Sequence, residues 1–157
     1  MTLTITREAA RDLLDEYVEL IDSDRLEDWL DLFAEDCVYR VTARENEEQG
    51  LPASVLLCSN KNMLRDRITS LRNANKYNLH YDRHLVSNIR VKKSLDGIAW
   101  VEANYAVIQT DMEGRSRIFS VGRYRDCLRR ENDRILLVEK VVVMDTFAVP
   151  TLLATPL

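Results

Sequence analysis

Three consecutive segments, Ile98 to Thr110, Arg117 to Leu128 and Arg134 to Asp145, are dense in Val, Ile, Tyr and other strand formers, and nothing else in the chain limits its folding as much. The joins between them are short and carry turn chemistry: Asp111 to Gly114 at the first, Glu131-Asn132-Asp133 at the second. Joins of that length reverse the chain between antiparallel neighbours, so the three segments predict a β-meander. Along the first, Ala99, Val101, Ala103, Tyr105 and Val107 recur at a period of two, opposite Trp100, Glu102, Asn104 and Ile108. One face must be covered. At about 3.3 Å per residue such strands reach roughly 40 Å, which favours a twisted, curved sheet. Gly122, in mid-strand, predicts a bend or bulge.

The cover comes from the N-terminal half. Thr6 is placed to cap a helix from Arg7 to Asp22, with Glu8 where the helix dipole favours a carboxylate. Ala10, Leu13, Leu14, Tyr17, Leu20 and Ile21 form its inward stripe. Asp24 followed by Glu27 resembles a capping box, and Leu26, Trp29, Leu30 and Phe33 predict a second, shorter helix. Cys37, Tyr39 and Val41 alternate as a strand does, and Arg44 to Pro52 is a polar excursion before the brief apolar run Ser54 to Cys58. Asn60 to Asn75 predicts a third helix, with Leu64, Ile68 and Leu71 inward and Lys61, Arg65, Arg67 and Arg72 outward. Tyr77 to His84, rich in aromatic and ionisable groups, reads as extended or looped. Leu85 to Ser94 predicts a strand that turns at Asp96-Gly97 into the meander, and Pro150 and Pro156 bracket an apolar tail, Thr151 to Leu157.

This order predicts an α+β fold of the cone-shaped nuclear transport factor 2-like, or cystatin-like, type: a curved mixed or antiparallel sheet wrapped around N-terminal helices, in one domain spanning residues 1–157. A chain of 157 residues can bury a core of its own without staples. A formal charge of −4 excludes a globally basic surface for nucleic acid. No apolar run approaches the roughly 20 residues of a membrane span. Cys37, Cys58 and Cys127 are odd in number, widely spaced and outside any CxxC pair, which points to a reducing cytoplasm.

Chemistry is harder to find. His80 and His84 are the only histidines and flank Asp82, but in an extended segment a spacing of four does not converge on a metal. A dehydratase or isomerase needs a carboxylate or imidazole of raised pKa facing a tyrosine hydroxyl. Tyr39, Asp66, Tyr105 and His84 are candidates by type, with no motif joining them; as structural residues, Tyr39 and Tyr105 are core aromatics and Asp66 the partner of a neighbouring arginine. No GxGxxG, Walker or GxSxG pattern is present.

The runs Tyr39-Arg40-Val41-Thr42, Arg44-Glu45-Asn46, Gly50-Leu51-Pro52, Met63-Leu64, Asp66-Arg67-Ile68 and Leu71-Arg72, then Ala74-Asn75 with Tyr77, Arg83-His84, and Thr151-Leu152-Leu153 with Pro156-Leu157, carry a resemblance over nearly the whole chain. In order and spacing they resemble the small (beta) subunit of bacterial aromatic-ring-hydroxylating dioxygenases, above all those acting on aromatic acids such as terephthalate, salicylate or anthranilate. The resemblance implies no catalytic, cofactor-binding or metal-ligating residue in this chain. It implies a large (alpha) oxygenase subunit as partner, in an α3β3 hetero-hexamer with β–β contacts, with the Rieske [2Fe-2S] cluster and the mononuclear Fe(II) in that partner. Those centres take His and Cys ligands that a chain with two histidines cannot provide in full.

The partner surface is expected at Arg44, Glu45 and Asn46 in the excursion, Arg65 and Arg67 on the basic helix, and Tyr81, Arg83 and His84, because arginine and aromatic groups are enriched in interface cores. The competing expectation is a stand-alone dehydratase or isomerase of the same fold. An enclosed pocket in which a desolvated Asp or His faces a Tyr marks that enzyme; a cone packed shut by side chains marks the subunit.

Overall fold

The computed structural model describes residues 4–73, 79–145 and 155–157. Its elements run α1 (Arg7–Asp22), α2 (Leu26–Leu30), β1 (Phe33–Ala43), α3 (Arg44–Glu48), β2 (Leu56–Cys58), α4 (Lys61–Asn73), β3 (His80–Leu95), β4 (Ile98–Asp111), β5 (Ser116–Glu131) and β6 (Arg134–Met144). Ala74, Asn75 and Tyr77, and the tail from Pro150 through Leu153, on which sequence expectations also rest, lie outside the described residues.

The strands form one six-stranded sheet in the order β2-β1-β6-β5-β4-β3. The sheet is mixed, because β1 runs parallel to β6 while every other pairing is antiparallel. The meander forms as its pattern demands: Ala99, Val101, Ala103, Tyr105 and Val107 are all buried on one face of β4. Register shifts between Ser87 and Arg90, Val91 and Lys93, Val107 and Ile108, and Cys127 and Leu128 add the local twist that curls the sheet. None of them falls at Gly122. The reason for glycine there is close approach: a Cβ on it would sit 2.0 Å from the Val143 carbonyl oxygen of the neighbouring strand.

α1 lies across β3 and is fixed at its start, where the Thr6 hydroxyl accepts from Ala9 N–H at 3.1 Å and Arg7 Nε donates to Ile89 O at 2.8 Å. Its inward stripe is buried as expected. The supposed capping box is not one. α2 starts after Arg25 with no side-chain cap, and the Asp24 and Glu27 carboxylates instead accept from Arg72 of α4, at 2.8–2.9 Å for Asp24 and 2.9–3.0 Å for Glu27. A guanidinium offering a fork of charged donors outcompetes a backbone N–H for a carboxylate. Phe33 likewise leaves the helix it was assigned to and opens β1, and the excursion folds its first half into α3.

The helices fill the concavity. The rings of Tyr17, Trp29, Phe33, Tyr39 and Tyr124 meet at centroid distances of 4.8–6.3 Å, and Tyr105 stacks on Tyr124 at 4.7 Å with an interplanar angle of 8°. Replacing Gly122 with alanine should lower the unfolding free energy by about 2–3 kcal/mol, because the strand pair has to part to admit the methyl group. Urea denaturation reads this directly, and an unchanged midpoint would contradict the close-approach account.

Candidate functional site

Alternation along β3 sorts the expected contact residues into two groups. Tyr81, Arg83 and Leu85 point away from the core, and in register Arg83 neighbours Ile108, which neighbours Ile118. Tyr81, Leu85 and Ile118 are 65%, 53% and 65% exposed, so this outward face carries three large apolar side chains around an arginine. Leu85 and Ile118 are missing from the sequence expectation; Leu85 falls out of phase with the inward His84, whereas Ile118 shares the phase of the buried Ser120, Tyr124 and Leu128 and is turned outward by the register shift between Val107 and Ile108. His84, one residue out of phase with Arg83, faces inward. Its ring Nδ1 lies 2.6 Å from Asp22 Oδ1, and its backbone N–H donates to Asp22 Oδ2 at 2.9 Å. It therefore fastens β3 to the end of α1 and is buried, unlike its neighbours Tyr81 and Arg83 on the outward face.

In the excursion, Arg44 and Glu45 are exposed and Asn46 is half-buried. Arg44 reaches Asp145 at 3.5 Å, beside a groove of about 450 Å³ lined also by Asn104, Tyr105, Gly122 and Arg123. The anchor of α3 is Glu47, which the sequence does not single out. It pairs with Arg40 of β1 at 3.2 Å and with Arg125 of β5. Arg65 and Arg67 are exposed on α4.

The catalytic candidates do not converge. Asp66 is exposed on α4, whereas Tyr39 and Tyr105 are buried in the cone, where desolvation pushes the Tyr39 hydroxyl up to about 12 and the Tyr105 hydroxyl upward as well. Tyr105 is hydrogen-bonded to Ser120 Oγ at 2.9 Å. A desolvated carboxylate is present, Asp126, but it faces Lys140 directly across the β5–β6 ladder at 3.1 Å, both side chains fully buried. The ammonium lies 3.2 Å from the Tyr124 ring centroid and 4.2 Å from that of Tyr17. Burial raises Asp126 to about 6 against the pull of Lys140, and lowers Lys140 to about 8 against the pull of Asp126. The space beside Trp29, Tyr39 and Leu64 is only about 20 Å³, room for one water at most. Among the described residues the interior is packed shut.

Metal donors are dispersed. Cys37 and Cys58 are free thiols on β1 and β2, at the opposite edge of the sheet from His80 and His84 on β3. Asp82, between the histidines, accepts from Gln109 and from Thr155, each at 3.2 Å. Among the described residues no cluster of three or more His, Cys, Asp or Glu could hold a metal, and no helix is long and apolar enough to cross a membrane.

A family profile described as "Ring hydroxylating beta subunit" matches residues 16–151. The chain is 42% identical over 145 residues to the anthranilate 1,2-dioxygenase small subunit of Burkholderia cepacia, covering 92% of this chain and 90% of that one. It is 33% identical over 141 residues to the terephthalate 1,2-dioxygenase terminal oxygenase component subunit beta 1 of Comamonas sp., covering 90% and 92%. A crystal structure from Novosphingobium aromaticivorans, described as the beta subunit of an aromatic-ring-hydroxylating dioxygenase, superposes with a TM-score of 0.88 at 39% identity over 96% of each chain. The fold is the nuclear transport factor 2-like cone, shared also with solved structures under 25% identical, which speak to fold alone.

Lys140→Met alone strands the Asp126 carboxylate and should cost about 3–5 kcal/mol, while adding Asp126→Leu should recover most of that loss. The folded chain holds the Asp126 proton more tightly than the unfolded chain, so stability from this group falls as pH rises from about 4 to about 6. It holds the Lys140 proton less tightly, so stability returns as pH rises from about 8 to about 10. Measured by urea unfolding, the wild type should be weakest relative to the double variant between about pH 6 and 8; a pH-independent difference would contradict the pairing.

Proposed function

The chain belongs to the ring-hydroxylating beta subunit family, the small subunits of aromatic-ring-hydroxylating dioxygenases, and from that premise we propose that its task is to hold a large oxygenase subunit together while contributing no group to the reaction. The observation that carries this reading is the interior. Rings from α1, α2, β1, β4 and β5 fill the cone, and its desolvated ionisable groups are held by each other, Asp126 by Lys140 and His84 by Asp22. A stand-alone dehydratase of this fold needs a chamber that admits substrate, and that alternative is not favoured.

The partner is the large subunit, which carries the Rieske [2Fe-2S] cluster and the mononuclear Fe(II) where the aromatic ring meets oxygen. The assembly is an α3β3 hetero-hexamer with β–β contacts, in the cytoplasm, a setting compatible with the free thiols Cys37, Cys58 and Cys127. An aromatic acid is the substrate class, supported by the anthranilate and terephthalate enzymes among the relatives. This chain acts as one domain. The contact with its partner is made by the outward face of Tyr81, Arg83, Leu85 and Ile118, by Arg44, Glu45 and Asn46, and by Arg65 and Arg67. An arginine ringed by exposed apolar side chains is the composition of an interface core.

Co-expression with the large subunit should yield an iron-containing hetero-oligomer that oxygenates an aromatic acid, and this chain purified alone should do neither. Stoichiometric iron or enzymatic turnover in the isolated chain would overturn the reading. Tyr81→Ala combined with Arg83→Glu should weaken co-purification by roughly 10-fold or more, in line with the loss of an interface anchor pair; unchanged assembly by gel filtration removes that face from the contact.

A further inference from the structure

Charge is segregated across the wall that α1 and β3 build together. The side that α1 turns away from the sheet carries Glu8, Asp12, Asp15, Glu16 and Glu19, all exposed, with Arg11 beside them. Spaced three and four apart, these acids form a stripe that is roughly 16 Å long at about 1.5 Å per residue. Arg11 takes up Asp15 at 3.6 Å, and among the described residues Glu8, Asp12, Glu16 and Glu19 have no ion pair. On the other side of the wall, Trp100, Glu102 and Asn104 alternate with the buried positions of β4 and so face outward. Around them stand Arg90, Lys92 and Lys93 of β3 and Arg123 of β5, all exposed. Glu102 is half-buried and taken by Lys92 at 3.7 Å, while among the described residues Arg90 and Arg123 have no ion pair. Trp100 is 43% exposed with the Lys93 ammonium 5.6 Å from its ring, and Leu95, at the turn into β4, is 55% exposed.

We propose that the acidic stripe of α1 on one copy docks on the basic face around Trp100 of a second copy, head to tail. Both halves of the complementarity are present in this chain. A formal charge of −4 makes copies repel at a distance, so attraction between them has to be local, and a stripe of unpaired carboxylates set against unpaired arginines supplies it. Exposed ion pairs add little each. The affinity therefore comes from covering Trp100 and Leu95, and the charges set orientation and encounter rate. Because the two faces differ, each docking leaves one of each kind free, and the series ends when the last copy meets the first. A closed ring of a few copies has no free face from which to grow. The inference rests on the copy-to-copy contacts proposed above and deepens them by naming the faces. It uses neither Tyr81 nor Arg83, so that end of the sheet stays with the large subunit.

The test follows the full chain by sedimentation velocity and by Trp100 fluorescence, Trp29 being buried and so a constant background. Mass should rise with protein concentration while the emission moves to the blue, and raising the salt from about 0.05 M to about 0.5 M should weaken association at least about 10-fold. Trp100→Ala should weaken it by about 10-fold or more. Two charge-reversed chains, Asp12→Lys with Glu16→Lys and Lys92→Glu with Lys93→Glu, should each stay monomeric, and mixing them should restore a complex that contains both. All these positions are exposed, and unchanged urea midpoints establish that the variants fold. A chain monomeric at every concentration, association indifferent to either reversal, or no recovery on mixing overturns the proposal. Both reversed chains should still co-purify with the large subunit. If the Lys92→Glu, Lys93→Glu chain loses that partner yet keeps associating with itself, the Trp100 face belongs to the large subunit: the proposal falls and the subunit reading stands. Salt-sensitive self-association in a chain that never joins a large subunit does the reverse.

Discussion

A curved sheet leaves a hollow that no single layer of aliphatic side chains can span, and this protein closes it with aromatic rings that meet in the middle. Tyr17 reaches in from α1, Trp29 from α2, Phe33 and Tyr39 from β1, and the Tyr105–Tyr124 stack from the meander. Ring pairs of this kind add about 0.5–1.5 kcal/mol each beyond the area they bury, and their edge and face preferences fix the helices at definite angles to the sheet. Remove the rings and α1 and α2 have nothing rigid to rest on.

The same rings account for a feature that a hydrophobic interior should reject. Lys140 and Asp126 are fully buried, yet the ammonium is sandwiched between the Tyr17 and Tyr124 faces as well as paired with the carboxylate. Such a pair adds little net stability, but it discriminates between strand registers. Sliding β6 by one residue against β5 would turn Lys140 to the outer face and leave Asp126 alone in the core. The pair thus holds in place the ladder that also receives β1 in parallel on its other side.

What the sequence declares is what local periodicity can encode. The period-two faces of the meander, the Thr6 cap, the stripe of α1 and the inward Leu64, Ile68 and Leu71 of α4 all appear where the pattern puts them. The misreadings share a cause: a partner far away in the chain. Asp24 and Glu27 look like a cap until Arg72, more than forty residues on, takes their carboxylates. Glu47 looks like one more acid in a polar excursion until Arg125 of β5 closes on it. His84 looks like a surface group until alternation turns it onto Asp22, and Leu157 looks like tail until Tyr17 and Tyr39 receive it. Exposed Leu85 is readable from phase but not from residue type, whereas Ile118 shares the phase of the buried Tyr124 and Leu128 and is turned outward only by the register shift opposite Val107 and Ile108.

The register shifts along β3 have a bearing on the chain before any partner arrives. β3 is an outer strand of the sheet and sixteen residues long, and a straight ribbon of that length would offer unpaired amides as a template for another copy. Asn88, with φ at 57°, and the two irregularities flanking Arg90 and Val91 break the ribbon, while Lys92 and Lys93 crowd it with charge. A freshly made copy is thereby kept from stacking edge to edge with its siblings, and can wait in dispersed form for the polypeptide it is built to support.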